Sequence, residues 1–572
     1  MKNDLVARIL FEIAERLGLE GVAFKPQAYR RAAETIESLA EPIEDLVSEG
    51  RHQDLPGVGE AIAKKIAEII ETGRLTYYEE LKSRLPIDLY ALTRVDGVGP
   101  KTAKLLYEAL DVRTLDDLER AARDGLIRDV KGLGEKMEAK ILRGLTETRS
   151  TAGRMLLGQA LPLANDLVDQ LQAFSSFDRI QFAGSLRRGR ETIGDLDLLA
   201  TATDPEAAGK AFVDLPGVKE VLSHGETKSS IRLDRGVQVD LRIVPEMSFG
   251  AALQYFTGSK DHNVALRKRS VARGWKLNEY GLFDAGGEAF AGESEAGIYE
   301  QLGLQFVPPE LREDRGEIEV AEAGELPLLV DVADIRGDLH VHTDWSDGRA
   351  TLEEMVDAAR ALGYEYVAIT DHAKFAEVIG GLTPDGLERQ IDVIAALNES
   401  LDGFRLLTGI EANVGPDGSL DMPDKLLGRL DVVIASVHSH FRQSREEMTS
   451  RIVKACEHEH VDILAHPTTR KLGERPPVEA DWDAVFECAA KHAVAMEVNA
   501  NPIRLDLNAD LIRRAISAGA KLAINTDAHV PEHFPFMPLA VLTARRGWAT
   551  RADVLNTLPL VGFAKEPRII GH

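Results

Sequence analysis

Histidines and carboxylates crowd one part of this chain. Of its 15 histidines, only His52, His224 and His262 precede Arg336. The others recur beside carboxylates in short apolar stretches: Asp338-Leu339-His340-Val341-His342, Thr370-Asp371-His372, Ser436-Val437-His438, Ala465-His466-Pro467 and Asn525-Thr526-Asp527-Ala528-His529. Neutral imidazole and carboxylate are the donor set that holds Zn, Mn or Fe. His340 and His342 alternate on one strand face, Asp347 follows in a Ser-Asp-Gly turn, and His372, Glu411 and His438 end later strands. One such histidine is usually a satisfied core residue. Six histidines with three carboxylates at successive strand ends are a polynuclear metal site. His458, His460, His492 and His533 fit no ligand position and are expected at the surface.

A second constellation lies earlier. Gly184-Ser185-Leu186-Arg187-Arg188-Gly189 precedes Ile193-Gly194-Asp195-Leu196-Asp197. Residues i and i+2 of a strand face the same way, so Asp195 and Asp197 can hold the same pair of divalent cations. Asp240 sits on a later apolar strand, where an unpaired carboxylate is costly unless it meets a cation. Alone, Asp-x-Asp is most often a solvated strand edge. With Asp240 and the Gly-Ser-x-Arg-Arg-Gly turn it suits two-metal phosphoryl transfer, with Gly184, Ser185 and Arg188 toward the β- and γ-phosphates.

Three segments share a third pattern: Leu55-Pro56-Gly57-Val58-Gly59, Val95-Asp96-Gly97-Val98-Gly99 and Val130-Lys131-Gly132-Leu133-Gly134. Two glycines around one apolar residue permit a tight turn that exposes backbone N–H groups before a helix, a cradle for phosphate. One copy would read as an ordinary helical hairpin; three resemble helix-hairpin-helix motifs, which grip the DNA backbone.

These groups must be positioned by several cores, since 572 residues are too many for one. The region from residue 4 to about 85 has the helical period of short amphipathic helices, the first (Leu5, Ile9, Ile13, Leu17) stopped by Gly18 and Gly21. Strand patterns begin near Ile180. Beyond Arg336, apolar strands such as Tyr366-Val367-Ala368-Ile369 and Ala495-Met496-Glu497-Val498 alternate with helical stretches, a βα arrangement whose chemistry collects at strand C-termini. The net charge of −26 is uneven: residues 279–334 hold 15 Asp+Glu against 2 Lys+Arg, so the first half is nearly neutral and can still carry a basic stripe. Pro308-Pro309 and the acidic stretch from Glu310 to Asp334 read as an interdomain connection. No apolar run reaches membrane-spanning length and no secretory leader pattern opens the chain, so a cytoplasmic protein is expected. Cys456 and Cys488 are expected in helical packing and not in a disulfide.

The segment from Gly184 to Asp240 resembles the palm of family X DNA polymerases, and the resemblance runs from about residue 4 to 315. It implies that Tyr255, Phe256 and Gly258 pack beside an incoming nucleotide, that Asn263 touches its base and that Arg267 contacts the template strand. Lys65 falls on the family's Schiff-base lysine, with Ala61 where a second lysine stands; Lys25 and Tyr29 fall in its 5′-phosphate pocket. Gln238 replaces an arginine that orients the third aspartate. The C-terminal part resembles the polymerase and histidinol phosphatase (PHP) domain, and all nine ligand positions are occupied. By that pattern His340, His342, Glu411 and Asp527 hold one ion, Asp347, His372 and His529 a second, and Glu411, His438 and His466 a third. Asp371, His440 and Asn499 are nearby candidates for supporting or substrate contacts.

The expected fold is multidomain, α+β and α/β. Helical domains at 1–85 and 86–150 carry the helix-hairpin-helix motifs, a mixed-sheet nucleotidyltransferase palm spans 151–245, and a thumb spans 246–315. A linker at 316–335 leads to a distorted (βα)7 PHP barrel at 336–572. The expected function is gap-filling DNA synthesis in repair, with Mg or Mn at a two-ion palm site. Mn or Zn at the barrel, up to three ions, would serve 3′–5′ exonuclease, abasic-site or 3′-phosphate chemistry. Gapped or 3′-recessed DNA and dNTPs are the expected partners of a monomer. Two other readings of the barrel are a metal-stabilised scaffold and a small-molecule phosphatase fused to a DNA-binding head.

Overall fold

The computed structural model describes residues 2–560 except 23, 38–42, 54, 56, 94, 96, 152–153, 235 and 374–380. Pro56 and Asp96 of the glycine-turn motifs, and 561–572 of the barrel domain, lie outside the described residues. The chain forms two compact units, one mainly residues 1–152 and one mainly residues 153 onward.

In the first unit, helices Lys2–Leu19, Lys25–Glu37, Ile43–Ser48, Glu60–Thr72 and Thr76–Arg84 enclose Leu10, Ile13, Ile36 and Ile66. Gly18 does not end the first helix, which runs to Leu19 before the chain reverses at Gly21 (φ 73°). Helices from Leu89 to Thr151 enclose Leu92, Leu106, Leu118 and Ile141. The three glycine turns repeat one geometry. Gly57, Gly97 and Gly132 take φ of 76°, 88° and 93°, which favours glycine. The next residue closes each turn: Val58 N–H to Leu55, Val98 N–H to Val95, and Leu133 N–H to Val130, at 3.0, 2.9 and 2.9 Å. Each leads directly into a helix, Glu60–Thr72, Pro100–Leu110 or Glu135–Thr151.

The second unit opens with a five-stranded sheet in the order Phe177–Phe182, Asp195–Ala202, Gln238–Ile243, Lys228–Leu233, Val218–His224. Only the pair Asp195–Ala202 and Gln238–Ile243 is parallel, and its register sets Asp197 opposite Asp240. The acidic connection that follows the thumb is itself packed. Its helix Glu317–Ala323 adds Ile318 and Ala321 to the thumb core of Leu266, Ile298 and Tyr299. Glu317 is fully buried, with Oε1 2.6 Å from His262 Nδ1. Arg312 is fully buried and ion-paired to Glu295. Several charges of this acidic stretch are thus engaged locally, which a charge count does not reveal.

Seven parallel strands then follow in chain order, Gly337–Val341, Tyr366–Ile369, Arg405–Asn413, Val432–Ser436, Ile463–Leu464, Ala495–Asn499 and Leu522–Asn525. Most of their residues are buried, because helices such as Leu352–Ala361, Arg445–Cys456 and Trp482–His492 cover the outside. Capping boxes at Thr351/Glu354 and Ser444/Glu447 start two of these helices. The barrel nearly closes: Val341 bridges Ala528 in parallel, and the Leu339 N–H donates to Asn525 Oδ1 at 3.1 Å.

Candidate active sites

In the palm, Asp195 is exposed, Asp197 half-buried and Asp240 buried. Burial, then the neighbouring carboxylates of Asp195 and Asp240, push Asp197 up to about 6. Burial alone would raise Asp240 too, but hydrogen bonds from Gln238, Ser230 and Lys228 outweigh it and hold this carboxyl low. Gln238 Nε2 donates to Asp240 Oδ1 at 3.0 Å, and Lys228 Nζ lies 3.1 Å from Oδ2. Gln238 therefore still orients Asp240 from the position where the resemblance places arginine. Gly184 (φ 62°) closes over the triad so tightly that a Cβ would stand 2.3 Å from Asp197 Oδ2. Three converging carboxylates, one pushed toward protonation by the others, fit a divalent cation pair.

Around the triad, Asn263 is fixed by three contacts. Its Nδ2 donates to the Tyr255 and Gly258 carbonyls at 2.7 and 3.2 Å, and Gln254 Nε2 donates to its Oδ1 at 2.9 Å. The Tyr255 and Phe256 rings meet edge to face at 5.1 Å, and the Arg242 guanidinium sits 4.3 Å from the Phe256 ring. Arg267 is exposed. Ser185 is half-buried, and its carbonyl accepts from the Arg190 N–H at 3.0 Å. Arg188 Nε donates to Glu313 at 3.0 Å and its NH1 to the Thr257 carbonyl at 2.7 Å. Its neighbour Arg187 makes a two-pronged pair with Glu295 at 2.8 and 2.7 Å. In the helical unit, Lys65 Nζ donates to the Ala61 carbonyl at 3.1 Å and lies 5.1 Å from the Tyr77 ring, on which buried Tyr29 stacks at 6.4 Å. Lys25 is exposed.

The barrel brings all nine of its candidate ligands together at the strand C-terminal ends. Glu411 is central: its Oε1 lies 3.2 Å from His438 Nε2 and 3.1 Å from His466 Nε2, and its Oε2 lies 2.8 Å from His372 Nδ1 and 3.5 Å from His340 and His342 Nε2. Asp527 Oδ1 lies 3.3 Å from His342 Nε2 and 3.6 Å from His340 Nε2. Asp347 Oδ2 lies 3.3 Å from His529 Nε2 and 3.5 Å from His372 Nε2. His342 adjoins two ligand groups, one with Asp347, His372 and His529 and one with His340 and Asp527. His340 Nε2, both ring nitrogens of His342 and Glu411 Oε2 are buried without hydrogen-bond partners. Two metal bonds of about 2.1 Å at tetrahedral or octahedral angles separate their donor atoms by roughly 3.0–3.4 Å. The orphaned atoms and their spacing therefore fit metal ions. Burial, then the His529 and His372 charges, push His342 down to about 4. Burial alone would raise Glu411, but His372, His438 and His340 hold it well below the usual carboxylate range.

Supporting contacts complete this site. Glu497, on the buried strand Ala495–Asn499, places Oε1 2.7 Å from His340 Nδ1 and so sets the tautomer that frees Nε2. Asn499 Nδ2 donates to Asp527 Oδ2 and Glu497 Oε2, both at 3.1 Å. Asp371 accepts from Thr343, Ser346 and Gln390 and stands behind the cluster, whereas His440 is exposed. His533 is not at the surface: it is half-buried, 5.2 Å from the Phe536 ring, with Nδ1 3.3 Å from the His529 N–H. Exposed His492 does come within ligand reach of Glu457 and half-buried Cys488.

The architecture defines a nucleotidyltransferase palm with a thumb, joined to a barrel whose histidine–carboxylate cluster fits metal ions and to helical hairpin domains. Family models match the helical, thumb and barrel parts: a helix-hairpin-helix domain at 1–75, a SAM-like helix-hairpin-helix tandem at 89–147, the DNA polymerase beta thumb at 252–313 and the PHP domain at 338–501. The DNA polymerase/3′-5′ exonuclease PolX of Bacillus subtilis is 38% identical over 567 residues, 98% of each chain. Rat DNA polymerase lambda is 26% identical over 330 residues, 53% of this chain and 54% of its own. A probable phosphatase of Thermoanaerobacter sp. is 28% identical over 232 residues, 38% of this chain and 89% of its own. The chain belongs to the family X DNA polymerases that carry a C-terminal PHP domain. Among the described residues no helix is long and apolar enough to cross a membrane.

Proposed function

We propose that this enzyme fills short gaps in DNA with dNTPs at the palm and processes DNA 3′ ends by phosphoester hydrolysis in the barrel, as a monomer engaged in cytoplasmic DNA repair. The observation that supports this most is the presence, in one compact unit, of two carboxylate-rich sites of different build.

At the palm, Asp195, Asp197 and Asp240 would hold two Mg or Mn ions, which when bound neutralise the triphosphate and acidify the primer 3′-hydroxyl. Asp240 is kept ionised and oriented by Gln238 and Lys228, which suits it to bind a cation. Asn263 and the Tyr255-Phe256-Gly258 turn would form the floor under the incoming nucleotide. Gly59 has open space where a side chain would stand, which would let a DNA phosphate approach the backbone of the turn. Its counterparts Gly99 and Gly134 serve the same role, and Lys65, Lys25 and Tyr29 would hold a 5′-phosphate.

At the barrel, the nine ligands would hold up to three Mn or Zn ions in the sets named above, with Glu411 shared. When bound these supply an acidified water and charge for the leaving oxygen. Glu497 and Asn499 keep His340 and Asp527 in place. A 3′–5′ exonuclease is the leading activity, with abasic-site incision and 3′-phosphate removal as the same chemistry on other ends.

The test is a 3′-recessed duplex and a gapped duplex with Mn, with and without dNTPs. Extension with nucleotides and shortening without them are expected, Asp240→Ala losing the first and His342→Ala the second. One substitution removing both would sink the two-site reading. Turnover of a generic phosphomonoester far faster than a DNA end would reassign the barrel to small phosphate esters.

A further inference from the structure

A cation borders the barrel cluster. Arg504 lies on the loop after the strand Ala495–Asn499, and its guanidinium reaches the cluster edge with Nε 4.0 Å from Asp527 Oδ2. Its side chain is 15% exposed, and its NH1 is buried without a hydrogen-bond partner. Arginine carries five N–H donors in a planar fork that matches phosphoryl oxygens two at a time. A buried, unspent donor costs free energy unless something comes to accept from it.

Arg470, a barrel residue anchored on the palm, holds the backbone of this residue. Arg470 Nε donates to the Arg504 carbonyl at 2.9 Å, and its NH2 donates to the Leu505 carbonyl. The same guanidinium grips palm Glu191 with NH2 to Oε1 at 2.7 Å and NH1 to Oε2 at 3.2 Å. Leu505 sits in the palm hydrophobic core with no exposure, at a φ of 43° that a leucine adopts only when packing imposes it. Pro502 presses against Gly158, where a Cβ would stand 2.6 Å from Pro502 Cβ. The loop is therefore shaped by the palm on one side while Arg504 faces the barrel cluster on the other.

We infer that Arg504 binds the phosphoryl oxygens of the barrel's substrate, and that palm Glu191, through Arg470, is a positioning residue for it. This rests on the reading of the barrel as a phosphoesterase. It makes the barrel's hydrolysis depend on a side chain of the polymerase palm. The ligand class is a phosphate ester or free phosphate.

The test uses the full chain loaded with Mn, a 3′-recessed duplex without nucleotides, and inorganic phosphate as both inhibitor and calorimetric titrant. Arg504→Gln should lower kcat/KM for shortening about 100-fold and weaken phosphate inhibition at least 10-fold, with Mn content unchanged. Arg504→Lys should restore part of the phosphate inhibition, and Glu191→Gln should lower kcat/KM about 5- to 10-fold at the same Mn content. Wild-type shortening and phosphate inhibition in Arg504→Gln would overturn the proposal. So would an Arg504→Lys protein with full Mn content and no more phosphate binding than Arg504→Gln. An unaffected Glu191→Gln would overturn its palm half. If the wild type does not shorten DNA, the phosphoesterase reading fails instead, and calorimetric phosphate binding still decides the role of Arg504.

Discussion

The palm and the barrel gather acidic residues in opposite ways. The palm sets three aspartates on two adjacent parallel strands, with Asp195 open to solvent and with Lys228 as the cation in direct contact with Asp240. The barrel embeds its carboxylates among imidazoles, so Glu411 alone faces His340, His342, His372, His438 and His466. The palm leaves most of its charge to be compensated by what arrives with the substrate. The barrel balances much of its charge from within, with imidazoles around each carboxylate. A site completed by its substrate can stay open and strained by like charges; a site completed by its own chain must be buried and supported from behind.

Breaking each site should expose this contrast. The largest effect is expected for Glu411→Ala, which removes the one carboxylate facing five histidines: shortening of DNA should fall at least about 1,000-fold with loss of bound metal, measured by primer assay and elemental analysis. Metal removal comes next. Chelation should lower the unfolding free energy of the barrel by several kcal/mol, while the palm shifts little, read as a separate early transition by calorimetry. Equal shifts in both would contradict the difference drawn above. Glu497→Gln should then weaken metal binding by about 10- to 100-fold through His340, measured by competition with a chelator.

The smallest effect concerns protons at the palm. Asp197, pushed up to about 6, holds its proton in the folded metal-free protein over a range where the unfolded chain, near 3.8, has lost it. Its contribution to stability is therefore full below about pH 4 and is lost as pH rises through about 6. Asp197→Asn should remove that slope, gaining on the order of 1–2 kcal/mol over the wild type at pH 7 in chelator. Mg should close the gap by stabilising the ionised form; a gap unchanged by Mg would mean that Asp197 does not face a cation.

Much of this was legible because it is local. Asp-x-Asp alternation, three Gly-x-Gly turns and histidines after apolar strands announce themselves within a few residues, and the all-buried strand pattern gives the barrel. What stayed hidden joins residues far apart. Glu497 meets His340 across 157 positions, and Arg470 meets Glu191 across 279. A lone glutamate in Ala495-Met496-Glu497-Val498 was the one local sign of the first, since burial on both faces demands a partner. The Gly-Ser-x-Arg-Arg-Gly turn points Arg188 toward the triphosphate, and nothing local shows that Glu313, at the far end of the thumb, engages it. The acidic count from 279 to 334 could not show that Glu295, Glu310 and Glu317 are buried against specific partners.

The seam of the barrel carries a consequence for how the molecule is made. The His342 N–H donates to the Ala528 carbonyl at 2.8 Å, and Asp527 and His529 stand beside His340 and His342. The cluster thus joins residues separated by nearly 190 positions, and its last members follow the seventh strand. On a ribosome the palm and thumb sequences emerge long before residue 529. A nascent chain therefore has all three palm aspartates long before it can close the barrel cluster, so that chains interrupted between the two carry the palm residues without the last two barrel ligands.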